Sequence, residues 1–446
     1  MSPETAQVAL ILLFTMFLFL GSGLWIALSL LGVGWVGLTF FSSVPVEKAM
    51  ATSIWQTNAS WTLAALPLFI WMGEILFRSR LSEILFHGLS PWLGWLPGRL
   101  LHVNVVGCGI FAAVCGSSAA TTATIGRMSL PNLLSRGYDR KISIGSLAGS
   151  GTLGLLIPPS IIIIVYGISA DVSIVRLFLA GVLPGMMMIS MFMAYIMVSA
   201  MIRKGVAPEL TELLSMKERL LRSRGLIPVV ALILAVIGSI YSGLATATEA
   251  AAGGVIGALV LSAFTRSLSW PMFRESLLAA TRLSCMIFLI LSGAAFLTTS
   301  LAYAGIPAAL ASWVAEMQLH PYALLAVLCI MYVMLGCFIE GISMIVLTAT
   351  VVLPLVSQAG FDLLWFGIFI ILVVETAQIT PPLGFNLFVI QGLTGQSIFR
   401  VAGAALPFFF MLLIGIVLIT LFPEIATWLP STLDGRPMTS VGQGVS

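Results

Sequence analysis

Charged residues are scarce in this 446-residue chain. Only 8% of the residues are Asp, Glu, Lys or Arg, whereas 59% are hydrophobic and the mean hydropathy is +1.11. A soluble domain does not need so many apolar runs, so the composition indicates an all-α polytopic membrane protein. The net charge is only +3, and the one dense basic segment lies between apolar runs. A nucleic-acid partner is therefore not expected.

Cysteine and histidine are also rare, and their spacing does not predict a metal or disulfide site. The five cysteines lie in apolar sequence without a CxxC pair, which predicts buried free thiols. The three histidines form no obvious nucleophile arrangement, so an intramembrane serine hydrolase using Ser117 or Ser150 is only a remote alternative. No GxxxxGK[ST] loop is present, which disfavours a nucleotide-driven pump. We expect neither enzymatic activity nor an organic cofactor.

Apolar sequence of membrane-spanning length is abundant. Apolar runs lie at about 5–20, 23–41, 50–77, 100–126, 142–168, 177–202, 226–241, 244–264, 283–301, 322–352, 365–390 and 401–422. The first run has no basic segment before it and no AxA cleavage site, so it is expected to be a retained span. The most polar stretch, residues 203–225, has more Lys and Arg than Glu and is predicted to be a cytoplasmic connector.

An internal repeat relates residues 1–202 to residues 226–424. LPNLLSRGYD, from Leu130, matches LPLVSQAGFD, from Leu353, at an offset of 223 residues, and a Pro-Pro pair recurs at the same offset. The first copy of this loop is rich in Arg and Lys, whereas the only charged residue of the second is Asp362. The positive-inside rule places the two copies on opposite sides of the membrane. Each half therefore crosses an odd number of times, which predicts an inverted-topology repeat.

A dense run of small polar residues, GCGIFAAVCGSSAATTA from Gly107, interrupts the apolar pattern of the first half. The arginines on both sides of it are predicted to be cytoplasmic, so the segment at about 90–130 is predicted to be a re-entrant hairpin. Its repeat is expected at about 322–353. Five crossings per half follow, with scaffold helices within about 1–77, an external amino terminus and an external tail at 425–446.

Each half also contains a Pro-Pro pair, which in the first half follows several glycines. GSGTLGLLIPPS begins at Gly149 and ETAQITPPLGFN at Glu375, which predicts broken helices at about 142–168 and 365–390. A break frees backbone carbonyls, which suit a small cation, and exposes half-helix amino termini, which suit an anion. Two hairpin tips and two breaks therefore predict two related ion sites with an anion site between them. A channel also uses re-entrant segments, but paired inverted breaks favour alternating access.

Four segments carry a family resemblance: GSSAATTATIGRMSLPNLLSRGYD, IPPSIIIIVYG, LFLAGVLPG and ITPPLGFNLFV. They closely resemble the large, DctM-like permease subunit of the tripartite ATP-independent periplasmic (TRAP) transporters, over essentially the whole chain. The resemblance implies an elevator-type secondary transporter of the bacterial inner membrane, which imports an organic acid with a sodium gradient. It also implies a separate small membrane subunit of four helices and a periplasmic solute-binding protein. A single-component sodium-coupled anion symporter of similar architecture remains the alternative.

The resemblance also implies where ions and substrate bind, with sodium as the coupling ion and the only metal. The first sodium site would use Gly116, Ser117, Ser118, Gly149, Ser150 and Thr152. The second would use Glu340, Gly341, Ser343, Thr376, Thr380 and Pro381. The substrate candidates are Ser118, Thr121, Arg127, Glu375 and Asn386. Ser117, Ser118, Thr121 and Thr122 are also suited to close helix packing, and Arg127 to a snorkelling anchor.

Overall fold

The computed structural model describes residues 3–203, 205–208, 215–316, 320–336, 339–381 and 384–433. Within this part of the chain the regular secondary structure is helical and there is no β-strand. Six of its helices are long and apolar enough to cross a membrane, which confirms the predicted class of all-α membrane protein. Pro382, residues 209–214 of the predicted connector and residues 434–446 of the predicted tail lie outside the described residues.

The first half begins with five helices and a short 3₁₀ turn over Trp61–Ala64. These helices are α1 (Pro3–Gly21), α2 (Ile26–Phe41), α3 (Val46–Asn58), α4 (Ala65–Arg78) and α5 (Leu81–Leu93). The apolar run predicted at 50–77 is thus divided between α3 and α4. Most of α1 is exposed, as expected for an apolar helix that faces lipid.

The rest of the first half contains a helical hairpin, a broken helix and a long helix. They are α6 (Leu101–Cys115), α7 (Ser118–Ser135), α8 (Arg140–Thr152), α9 (Ile161–Ala170) and α10 (Ile174–Ile202). Only Gly116 and Ser117 separate the two helices of the hairpin. Residues 153–160, which include the Pro-Pro pair, separate α8 from α9.

The connector contains α11 (Met216–Ser223), and the second half follows. Its outer helices are α12 (Leu226–Tyr241), α13 (Ala247–Phe264), α14 (Trp270–Tyr303) and α15 (Ile306–Glu316). Its hairpin, broken helix and closing helices are α16 (Pro321–Leu335), α17 (Gly341–Gln358), α18 (Leu363–Gln378), α19 (Phe385–Thr394), α20 (Ile398–Leu421) and α21 (Glu424–Leu433). The segment assigned to the external tail therefore begins with a helix, and α21 packs against α10.

The predicted repeat is present in the helix boundaries. Helix α7 begins at residue 118 and ends at residue 135, and α17 begins and ends 223 positions later, at 341 and 358. Helices α8 and α18 begin at residues 140 and 363, which is the same offset. The same order of hairpin, break and long helix thus occurs twice, as a duplicated sequence requires.

The helices pack into two groups. Helices α2, α3 and α4 pack on α14, and α13 packs on α4, while the hairpins, the broken helices, α10 and α20 form a second group. Helix α18 lies at the centre of the second group, since every residue from Leu364 to Gln378 is buried. Helix α14 has 34 residues, so it is about 50 Å long and extends beyond a bilayer core of about 30 Å.

Candidate ion and substrate site

The first hairpin tip is a tight turn that only glycine fits comfortably. Gly116 has a φ of +61° and ends α6, and the extended Ser117 caps α7 by accepting a bond from the amide of Ala120. A Cβ on Gly116 would lie 3.0 Å from the carbonyl oxygen of Pro159. The tip therefore packs directly on the first break, and the amide of Ile161 donates to the Gly116 carbonyl at 3.4 Å.

Two more glycines let the broken helix approach the hairpin. A Cβ on Gly154 would lie 2.7 Å from the carbonyl group of Ser117, and one on Gly151 would lie 1.9 Å from the hydroxyl oxygen of Thr122. Neither position tolerates a side chain without displacement of the hairpin. The first break and the first tip are thus held together by main-chain contacts.

The second tip and break have a related arrangement with different side chains. Glu340 caps α17 by accepting from the amide of Ser343 at 3.4 Å. A Cβ on Gly341 would lie 2.7 Å from a methyl carbon of Val374 and 3.2 Å from the amide nitrogen of the Gln378 side chain. The second tip therefore contacts α18 just before that helix ends.

Contacts between the halves bring both tips and both breaks to one place. The Ser118 hydroxyl donates to Oδ1 of Asn386 at 2.8 Å, so the first tip lies against the start of α19. In the other direction, a Cβ on Gly341 would lie 3.4 Å from Cδ1 of Ile162, at the start of α9. Each tip therefore contacts the restarted helix of the opposite half. This reciprocity is what a pseudo-twofold axis between two repeats produces.

Four of the hydroxyls predicted to bind sodium donate their hydrogen to their own helix. Thr152 donates to the carbonyl of Gly149, and Ser150 to that of residue 146. Thr376 and Thr380 likewise donate to the residues four positions earlier, each at 2.8 Å. A hydroxyl with its hydrogen engaged still offers oxygen lone pairs. These four groups are therefore suited to a cation and not to an anion.

Other buried polar groups beside the first tip have an unused hydrogen. Within the described residues, the Oγ1 atoms of Thr121 and Thr122 and Nδ2 of Asn386 have no hydrogen-bond partner. All three side chains are fully buried. Thr121 and Thr122 lie three and four positions after Ser118, so the three residues share one face of α7. An unpaired buried donor is costly, and a carboxylate would satisfy Thr121 and Asn386, whereas the Thr122 hydroxyl packs against Gly151.

Glu375 is the most unusual buried group of the site. Its side chain has 0% exposure, and within the described residues neither carboxyl oxygen has a hydrogen-bond partner of normal geometry. The amide of Leu156 in the first break faces this carboxyl group. Burial of an acidic group without a partner is expensive, which marks the position as functional more often than structural.

Three predicted residues lie away from the tip contacts. The missing side chain of Gly149 faces Phe408 of α20, where a Cβ would lie 2.6 Å from the Phe408 side chain. Arg127 is exposed and lies two turns along α7 from the tip. Pro381 lies on the exposed side of the second break. Their predicted roles in binding stay predictions.

Sequence reasoning missed several contacts of the site. Gly154 and Gly151 were not singled out, although their spacing ahead of the Pro-Pro pair is a signal of close backbone approach. Gln378 was also missed, although it lies three residues before Pro381, at the end of α18, and is buried beside Gly341. The contact of Ile162 with the second tip has no sequence signal, because an apolar residue in an apolar run looks like any other.

Comparison with known proteins finds a matching family model and related permeases. A family model described as "Tripartite ATP-independent periplasmic transporter, DctM component" matches residues 11–425. The chain is 32% identical to the C4-dicarboxylate TRAP transporter large permease protein DctM of Pseudomonas aeruginosa, over 86% of this chain and 90% of that protein. It is 28% identical to the sialic acid TRAP transporter permease protein SiaT of Haemophilus influenzae, over 92% of this chain and 67% of that protein.

A solved structure supports the fold independently. The YdaH transporter of Alcanivorax borkumensis superposes with a TM-score of 0.66, over 95% of this chain and 100% of that chain. The sequences are only 13% identical, so this likeness shows the fold and nothing about the cargo.

Proposed function

Because this chain belongs to the DctM component family of the tripartite ATP-independent periplasmic transporters, we propose that it imports an organic acid by using a sodium gradient. It is a multi-pass integral membrane protein and a permease component, not an enzyme. A periplasmic solute-binding protein delivers the substrate, and a small four-helix membrane subunit braces the permease.

One observation carries the proposal: each hairpin tip contacts the restarted helix of the opposite half. Ser118 bonds to Asn386, and Gly341 approaches Ile162. Irregular backbone is tolerated at membrane depth only where protein or a water-filled cavity satisfies its polar groups. Two such interruptions that meet at one place favour a binding site, because a structural core would use unbroken helices instead.

The buried polar groups divide into hydroxyls that already donate their hydrogen and groups whose hydrogen has no acceptor, and this difference supports separate roles for them. The hydroxyls of Ser150, Thr152, Thr376 and Thr380 already donate, so they offer only lone pairs, and sodium is the fitting ligand. The unpaired donors beside Ser118 fit a carboxylate. Sodium close to this carboxylate stabilises it, so sodium and substrate increase each other's affinity.

The division of the helices into two groups supports an elevator motion. The hairpins and broken helices form the moving group, and α2, α3, α4, α13 and α14 form the scaffold. Where the groups meet, the missing side chain of Gly73 on α4 faces the backbone of Cys115, and a Cβ on Gly73 would lie 3.1 Å from the Cys115 carbonyl oxygen. The missing side chain allows the two groups to approach each other closely at this point.

The membrane potential limits which acids such a transporter imports with two sodium ions. Two positive charges moving inward gain about 4.6 kcal/mol per 100 mV. A divalent anion cancels this gain, whereas a monovalent anion leaves half of it. A voltage-driven dicarboxylate importer therefore requires a third cation.

Uptake into proteoliposomes tests the proposal directly. The permease, its small membrane subunit and its binding protein are reconstituted, and the sodium gradient, the voltage and each partner are removed in turn. We expect uptake of a carboxylate to stop without sodium and without either partner. Uptake that persists with no sodium gradient refutes the coupling, and uptake by the permease alone favours the single-component symporter.

A further inference from the structure

A cavity lies outside the site formed by the tips and breaks. It has a volume of about 350 Å³ and lies between α7, the start of α8 and the end of α19. Its polar lining residues are Arg127, Arg140 and Thr394, and the rest of its lining, which includes Gly126 and Leu393, is apolar. We call it the arginine cavity.

The arginine cavity lies between the same two helices as the first tip, α7 and α19, which run parallel. Ser118 contacts Asn386 near the starts of α7 and α19, while a Cβ on Gly126 would lie 2.7 Å from Leu393 near the end of α19. Gly126 is eight residues after Ser118, which is about 12 Å along a helix. The cavity therefore begins about two helical turns from the substrate candidates and leads toward the basic loop that the sequence predicts to be cytoplasmic.

The charges around the cavity favour an anion. Within the described part of the chain, neither Arg127 nor Arg140 forms an ion pair with a carboxylate. The adjacent Asp139 is engaged as the cap of α8, where it accepts from the amide of Ile142 at 2.8 Å. The partial positive charge at the start of α8 adds to the two guanidinium groups, and the carboxyl ends of α7 and α19 oppose them only partly. The planar guanidinium group of an arginine donates two parallel hydrogen bonds, which match the two oxygens of a carboxylate.

The repeat does not reproduce this chemistry in the second half. At the offset of 223 residues, Arg127 corresponds to Thr350 and Arg140 to Leu363. The corresponding surface on the other side of the membrane therefore lacks both positive charges. The arginine pair is a property of one end of the moving group, not of the fold.

We propose that the arginine cavity is a second carboxylate site, which receives the organic acid as it leaves the central site toward the cytoplasm. The proposal rests on the proposed import of an organic acid. Arg127 and Arg140 bind the leaving carboxylate at low affinity, and their charge keeps it from returning to the buried donors beside Ser118. Arg127 thus acts at the exit and not at the central site.

Protection of a cysteine in the cavity tests this proposal. Thr394→Cys is introduced after replacement of Cys285, Cys329 and Cys337 by Ser, and the complex is studied in inside-out membrane vesicles. A membrane-impermeant maleimide then labels the new cysteine with and without succinate as the probe, and neutral succinamide is the control. We expect succinate, but not succinamide, to slow labelling about tenfold, as one strong charged contact allows.

Arginine variants distinguish a specific site from a general effect of charge. The double variant R127Q/R140Q should lose the protection, and R127K/R140K should retain part of it. R136Q is the matched control, because Arg136 is exposed at the end of the same helix and does not line the cavity. Equal protection in R127Q/R140Q and in the parent overturns the proposal, as does a parent that succinate does not protect.

Lipid composition separates a carboxylate from a lipid phosphate. The labelling is repeated in nanodiscs of phosphatidylcholine alone and with added phosphatidylglycerol. Protection by phosphatidylglycerol but not by succinate overturns the proposal in favour of a lipid headgroup. If succinate protects the cysteine in a complex that shows no sodium-driven carboxylate uptake, the carboxylate site is supported and the proposed function is refuted. A failure of one proposal is therefore distinguishable from a failure of the other.

Discussion

The substitution Gly116→Ala tests whether the first tip belongs to a sodium site. Gly116 has a φ of +61°, and its Cβ would lie 3.0 Å from the Pro159 carbonyl oxygen and 3.2 Å from the Ile161 amide nitrogen. The left-handed conformation alone costs an alanine about 1–2 kcal/mol. The two backbone contacts add to this cost because neither atom belongs to a flexible side chain. The tip must therefore move away from the break.

Gly137→Ala is the matched control for the backbone conformation. Gly137 follows the same hairpin at a φ of +80°, but a Cβ there has nothing within 4 Å. Both variants thus carry the left-handed cost of about 1–2 kcal/mol, and only Gly116→Ala also carries the crowding at the break. Any difference between them reports the contact of the tip with Pro159 and Ile161.

The assay is the sodium dependence of carboxylate uptake in proteoliposomes that contain the complete complex. A displacement that costs the bound state about 1.4 kcal/mol weakens sodium binding tenfold. We therefore expect Gly116→Ala to raise the half-saturating sodium concentration about tenfold, with Gly137→Ala close to the parent. An equal sodium dependence in the two variants refutes the assignment of the first tip to a sodium site.

Three further substitutions test other contacts. Asn386→Leu removes the acceptor of the Ser118 hydroxyl and a buried donor. We therefore expect the affinity for the carboxylate, measured by calorimetry on the complex, to fall about tenfold or more. An unchanged affinity contradicts this prediction. Glu375→Gln removes a buried acidic group that faces the Leu156 amide and has no cationic partner within the described residues, so the melting temperature should not fall, and a fall indicates a bound cation. Tyr166→Phe removes the bond from the hydroxyl to the carbonyl of Leu363, at 2.7 Å, which should lower the free energy of unfolding by about 1 kcal/mol in a denaturant titration.

The repeat and the interruptions could be predicted from sequence because they depend on local signals. The matching loops gave the offset, and α7 and α17 begin at that offset, at Ser118 and Gly341. The breaks follow from the Pro-Pro pairs, since proline removes a backbone donor and displaces a carbonyl. These features need no knowledge of which helices become neighbours.

The contacts between the halves could not be predicted in the same way. Ser118 and Asn386 are 268 residues apart. Only tertiary packing determines that a hairpin tip contacts the helix that follows the break in the opposite half. The same limit applies to Gly149, whose sequence context indicates backbone flexibility at an ion site, whereas its missing side chain admits Phe408. A glycine in a helix provides either backbone flexibility or room for a neighbouring side chain, and only the residues around it show which role it has.

The two halves have the same backbone arrangement but different polar side chains. This difference predicts which hairpin tip the proposed carboxylate binds. At the offset of 223 residues, Ser117 of the first tip corresponds to Glu340 of the second, and Thr152 corresponds to Glu375. Glu340 makes the second tip acidic, whereas Glu375 faces the Leu156 amide of the first break. The unpaired donors, including Nδ2 of Asn386, lie beside the first tip. An anion is repelled by the Glu340 carboxylate and satisfied by these unpaired donors. The carboxylate is thus expected beside the first tip, and the more acidic second site is left to bind its cation without help from the substrate.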